Sequence, residues 1–202
     1  MISIIITSFT DFGDMTTPLI KSILKYERGH EIIVIDNGSK TPYPIGGDYK
    51  VFRFSEPHSW AKMLNKGAEL AKGDWLLILN DDVLCSGWFS NTIEGLDKRG
   101  FYGPKLKKKP PEWAGVEIYY MQLWAFTIQK TLYEKLGGMD EWYPKAGVDD
   151  IDFCWRAHQK GIPFTALNLP FIHLEQYRRT KWDGFDEQMK KSIEHLSEKI
   201  RS

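Results

Sequence analysis

Two places in the chain set carboxylates side by side where chemistry could use them. In "GDWLLILNDDV" an apolar run, residues 75–79, stops at Asn80, Asp81 and Asp82 before apolar residues resume at Val83. Acids that close a buried strand must be hydrated, paired or bound to something cationic. Hard divalent cations take oxygen ligands, and a metal bridging a carboxylate and phosphates is a common arrangement. The turn therefore suits Mg2+ or Mn2+ held against a diphosphate, with a solvated Asp-rich turn as the plain alternative. The second pair, Asp149-Asp150, lies in "AGVDDIDFCWRAHQKG" where a helical pattern begins. Asp149 could be an N-cap, with Asp152 at the third helical position helping the helix start. Alternatively one carboxylate faces a cleft as a general base. A single chain can use one acid for each role.

The elements that must position these acids are short. Apolar β-rich runs recur at residues 2–6, 31–35, 49–54 and 75–79. A helical pattern with Leu19, Ile20, Ile23 and Leu24 on one face opens near Thr17-Pro18 and closes at Gly29. A second carries Trp60, Leu64, Ala68 and Ala71 and closes at Gly73, while "DNGSKTPYPIGGD" reads as loop. Strands alternating with helices predict a mostly parallel sheet covered on both faces. Ligands bind such sheets beyond the carboxyl ends of the strands, where Thr7-Ser8, Asp36-Asn37 and Asn80-Asp81-Asp82 all fall.

The second half changes character. "GFYGPKLKKKPPEW" is predicted as loop, its Lys105, Lys107, Lys108 and Lys109 solvated, and "AGVEIYYMQLWAFTIQ" as extended strands. "KTLYEKLGG" reads as a short helix with a glycine stop. A further helix over "VDDIDFCWRAHQKG" sets Ile151, Cys154 and Trp155 on one side. In the charged tail Phe185, Met189, Ile193, Leu196 and Ile200 recur at helical spacing, a stripe expected to pack back on the domain.

Lys+Arg and Asp+Glu both number 27 in 202 residues, so no bulk attraction to nucleic acid is expected. Cys85 and Cys154 stand far apart, with neither zinc nor disulfide spacing. "MISIIITSF" lacks a basic leader and reads as a strand, and no run approaches the ~20 apolar residues of a membrane span. A soluble, cytoplasmic protein is the expectation.

Four stretches, "ISIIITSF", "IIVIDNGS", "NKGAELAKGDWLLILNDDV" and "LGGMDEWYPKAGVDDIDFCWRAHQKG", occur in the order found in family 2 glycosyltransferases, which this chain resembles from Ile2 to about His173. The resemblance implies an α/β fold of GT-A (Rossmann-like) type and metal-dependent, inverting transfer from a nucleoside-diphosphate sugar to a carbohydrate or glycoconjugate acceptor. It implies that Thr7 and Phe9 contact the nucleobase, together with Asp36 and Asn37, the latter standing where many relatives have Asp. Asn80-Asp81-Asp82 matches the family's DxD motif with Asn for the first acid: Asp82 on the metal, Asp81 near the ribose. Asp150 matches the usual base of the family's "ED" pair and Asp149 replaces its Glu. His173 in "PFIHLEQ" resembles a late histidine that ligates the metal in some members.

A single domain over 1–202 follows: about 1–100 for the nucleotide sugar, about 101–180 for acceptor and catalysis, about 183–202 as a C-terminal helix. The short chain also fits one module of a larger enzyme. Arg178-Arg179 could close over the diphosphate. Trp113, Trp124 and Trp142 lie in the acceptor half, where one could stack on a sugar although core packing accounts for any of them. Two other readings exist. A sugar-nucleotide pyrophosphorylase would need a Gly-rich loop where this chain has "TSFTDFGD". A catalytically silent nucleotide- or carbohydrate-binding domain draws on the Asn residues at 37 and 80.

Overall fold

A computed structural model describes residues 1–8, 13–111, 115–143, 148–174 and 184–201. The strands in chain order are β1 (Ile2–Ser8), β2 (Glu31–Asp36), β3 (Lys50–Arg53), β4 (Trp75–Asn80), β5 (Val83–Cys85), β6 (Phe101–Gly103), β7 (Leu106–Lys109), β8 (Ile118–Met121), β9 (Ala125–Gln129), β10 (Phe164–Ala166) and β11 (Phe171–His173). The helices are α1 (Thr16–Tyr26), α2 (Trp60–Leu70), α3 (Ser90–Glu94), α4 (Lys130–Leu136), α5 (Asp149–Gln159) and α6 (Phe185–Arg201).

Among the described residues seven strands form one sheet in the order β10-β6-β9-β4-β1-β2-β3. β1 pairs in parallel with β2 and β4, and β9 runs antiparallel between β4 and β6. Alternate residues of the central strands point to opposite faces, because a strand's side chains have period two. Ile4 and Ile6 of β1 join Leu19, Ile20 and Ile23 of α1 in one core; Ile5 joins Ala61, Leu64 and Ala68 of α2 in the other. Burying each of these isoleucine and leucine side chains contributes roughly 1.5–3 kcal/mol. Glycine lets α2 sit close on β1, since a Cβ at Gly67 would lie 2.4 Å from Ile5 Cγ2.

The structure corrects several local expectations. The segment from Phe101, predicted as loop, contains β6 in the main sheet and β7 in a ribbon with β8. The lysines of β7 are nevertheless largely exposed. Helix α2 ends at Leu70, with Ala71 extended at its C-cap, so Gly73 is not the helix stop. A Cβ at Gly73 would lie 2.7 Å from Met1 O and Ser3 N, which makes close strand contact the reason for glycine there. Helix α4 does end on a left-handed glycine, Gly137 at φ +83°. On α6, Leu196 is fully buried, and Met189, Ile193 and Ile200 pack on the core shared with α2 and α5. No helix among the described residues is long and apolar enough to cross a membrane.

Candidate functional site

The parallel register of β2, β1 and β4 brings three strand ends into line. Ser8 is the partner of Asp36, and Thr7 of both Ile35 and Asn80. Phe9 of the predicted base contacts lies outside the described residues, as do Arg178, Arg179 and Trp113.

Each polar group on this edge has its own arrangement. Thr7 Oγ1 accepts a hydrogen bond from Trp60 Nε1 at 3.2 Å. The fully buried Asp36 accepts from Ser39 N and Ser39 Oγ, both at 2.9 Å, and Arg53 Nε lies 3.7 Å away. Asn37 is clamped to the backbone of His58: its Oδ1 accepts from His58 N at 2.8 Å and its Nδ2 donates to His58 O at 3.0 Å. Aspartate could make only the first of these bonds. Asparagine at this position therefore has a structural reason, holding the connection between β3 and α2.

The adjacent acids of the turn have opposite surroundings. Asp81 Oδ2 accepts from Ser8 Oγ at 2.7 Å, and Ser8 also contacts Thr16 Oγ1 at 2.9 Å and the Tyr43 hydroxyl at 2.7 Å. Ser8 has one proton and gives it to the carboxylate, so Thr16 and Tyr43 both donate to Ser8. Burial, with the charges of Asp36 and Asp81 adding to it, pushes the Tyr43 phenol up to about 12, so it stays protonated as that donor. Asp82 Oδ2 instead lies 3.2 Å from His173 Nε2. Its Oδ1 is buried without a hydrogen-bond partner, and so is Asn80 Oδ1.

His173 reaches Asp82 through pairing of distant segments. β5 and β11 run antiparallel with Val83 opposite His173, and Leu174 N donates to Asp82 O at 2.8 Å. The His173 ring stacks on Trp124, with centroids 4.7 Å apart and planes 5° apart. Trp124 O in turn accepts from Asn80 N at 2.9 Å. A carboxylate with one buried oxygen that has no donor and the other facing an imidazole nitrogen is a donor set that fits a hard divalent cation. Among the described residues no cluster of three His, Cys, Asp or Glu side chains forms a cage. A cation here would complete its shell with phosphate and water oxygens, as Mg2+ commonly does.

Asp149 and Asp150 open α5. Val148 is its N-cap and no side chain caps it, so Asp149 does not take the capping role weighed for it. Asp149 is buried and Asp150 half-buried, with Asp150 Oδ1 accepting from Ile151 N at 2.9 Å. Met121 N donates to Cys154 Sγ at 3.2 Å, tying α5 to β8 three residues before Trp124. Asp152, expected to help the helix start, is fully buried and ion-paired with Arg156 and Lys199.

Tyr43, Thr16, His58 and Trp60 join the edge without any local motif. Trp124 was visible only as one tryptophan of three. Their signal lies in long-range contact, which a sequence window does not carry.

Comparison with known proteins adds three findings. The family model described as glycosyl transferase family 2 matches residues 3–156. No curated protein sequence matches the chain. Among solved structures, GalNAc-T7 with UDP, GalNAc and Mn2+ superposes with a TM-score of 0.71 at 15% identity, covering 82% of this chain and 42% of that one. The mannosyltransferase PcManGT from Pyrobaculum calidifontis, in complex with GDP-Man and Mn2+, gives 0.68 at 14% identity, covering 100% and 64%. TarS of S. aureus gives 0.60 at 14%, covering 84% and 36%. The likenesses establish the fold as GT-A. The chain spans less than two thirds of each of these proteins.

Proposed function

This chain belongs to glycosyl transferase family 2, and we propose that it moves a sugar from a UDP- or dTDP-linked donor to a hydroxyl of a glycan or glycoconjugate, inverting the anomeric carbon. The observation that carries this reading is Asp82 at the ligand edge of the sheet, with Oδ2 against His173 and Oδ1 buried without a donor. The UDP, GalNAc and Mn2+ in GalNAc-T7 and the GDP-Man and Mn2+ in PcManGT support it.

Asp82 and His173 would hold Mn2+ or Mg2+, with Asn80 toward the nucleotide. Bound there, the cation supplies Lewis-acid stabilisation of the departing diphosphate. Ser8 fixes Asp81 for the ribose, while Thr7 and Asp36 border the base. Asn37 contributes by holding the His58 backbone rather than by reading the base. Asp150 takes the proton from the acceptor hydroxyl as that oxygen attacks opposite the leaving group, with Asp149 shaping the same turn. An ionised carboxylate there is the acceptor for that proton. Its weak basicity suffices, because the hydroxyl becomes acidic only as the new bond forms.

Calorimetric titration with UDP, dTDP and GDP, each with and without Mn2+, tests the donor site. Metal-dependent binding of one nucleotide, lost in Asp82→Ala, is the expected result. Folded protein that binds none of the three overturns the reading.

A further inference from the structure

Residues 136–142 are held by side chains from α2, α4, α5 and α6. From α2, Asn65 Nδ2 donates to Met139 O at 2.9 Å and Glu141 Oε1 at 2.8 Å, while Asn65 Oδ1 accepts from Met139 N and the Tyr133 hydroxyl. From α5, Arg156 donates to Asp152 and to the carbonyls of Leu136 and Gly138. From α6, Lys199 Nζ donates to Asp140 Oδ2 at 2.7 Å and to Asp152 Oδ1. The His195 ring of α6 stacks on Trp142, centroids 3.7 Å apart. Asn65, Met139, Asp140, Glu141, Arg156 and Lys199 line a polar cleft of about 410 Å³.

Lys199 thus holds two carboxylates on opposite sides of residues 149–150. Asp140 precedes them, and Asp152 lies within their own helical turn. Asp152 is fully buried and keeps Arg156 as a second cation, so it is doubly compensated. An ion pair used only to neutralise Asp152 would not need Lys199. Its second bond, to Asp140, makes it a brace across the turn as well as a counter-ion.

We propose that α6 is a positioning element for the transferase reaction, with Lys199 bracing Asp140 against Asp152 so that the first turn of α5 presents Asp150 in a fixed orientation. Lys199 touches no substrate in this role. The inference rests on Asp150 acting as the base.

The test compares wild type with Lys199→Met, which keeps the aliphatic stem, and Lys199→Arg, which restores a cation. The first readout is amide hydrogen exchange at Ile151 and Asp152 in the folded proteins, which needs no activity. Faster exchange there in Lys199→Met, with the amides of β1 and β4 unchanged and Lys199→Arg near wild type, is expected. Unchanged exchange at α5, or equal acceleration throughout the sheet, overturns the brace. The second readout is turnover of whichever nucleotide sugar wild type uses. Because small misplacement of a reacting group lowers rate steeply, kcat should fall on the order of 10- to 100-fold in Lys199→Met, with the Mn2+-dependent affinity for the nucleotide unchanged. An unchanged kcat, or loss of nucleotide affinity in parallel, also overturns it. Wild type that turns over no donor refutes the transferase reading by itself, and the exchange result still decides whether the brace exists.

Discussion

The protein contains two clusters of acids, and the cations around them differ. Around Asp140 and Asp152 the chain supplies its own: Lys199 contacts both carboxylates, Arg156 contacts the second, and Lys199 holds Asp140 below the usual carboxylate range although burial pushes it up. At the turn of residues 80–82, among the described residues, Asp82 meets a histidine, and its second oxygen and the side-chain oxygen of Asn80 face no donor. A buried acid must be compensated. Lysine and arginine do this at Asp140 and Asp152; among the described residues neither does so at Asp82.

The contrast predicts opposite outcomes for removing an acid. Asp82→Ala should lower kcat/KM by roughly 10³-fold, about 4 kcal/mol, with little change in Tm, because it deletes a cation ligand whose one close side-chain contact is a histidine, and strands no lysine or arginine among the described residues. Retained metal-dependent nucleotide binding in that variant would break the comparison. Asp152→Ala should instead cost about 3 kcal/mol of stability by leaving two cations facing a buried gap. Scanning calorimetry should then show Tm lower by roughly 6–12 °C; an unchanged Tm would remove the clasp from the structural side.

Smaller effects sharpen the picture. His173→Ala should weaken Mn2+-dependent nucleotide binding by about 10- to 100-fold while leaving metal-free binding as it is; equal loss with and without metal would make the histidine a packing residue. Asn37→Asp should cost about 1–2 kcal/mol, because His58 O would lose its donor and meet a carboxylate. Denaturant unfolding measures that cost. A neutral result would mean the amide clamp adds nothing to stability.

Much of the fold could be read along the chain. Period-two alternation in residues 2–6 and 75–79 assigns side chains to the two cores, and the stripe on α6 matches the face that it buries. The glycine stop after α4 is equally local. The strands β6 and β7 were hidden because "GFYGPKLKKKPPEW" has the composition of a loop; β6 exists through its register with β9 and β10. The reason for Asn37 was hidden too, since His58 lies 21 residues away.

By itself the sequence determined where strands end in polar groups and which acids stand side by side, because side-chain periodicity and turn chemistry act over a few residues. Only the tertiary structure decided what those acids meet. Ser8 reaches Asp81 across 73 residues, Lys199 reaches Asp152 across 47, and His173 reaches Asp82 because β11 chose β5. A strand's partner and register follow from closing both apolar cores at once. That choice depends on the whole chain, so no window of sequence contains it.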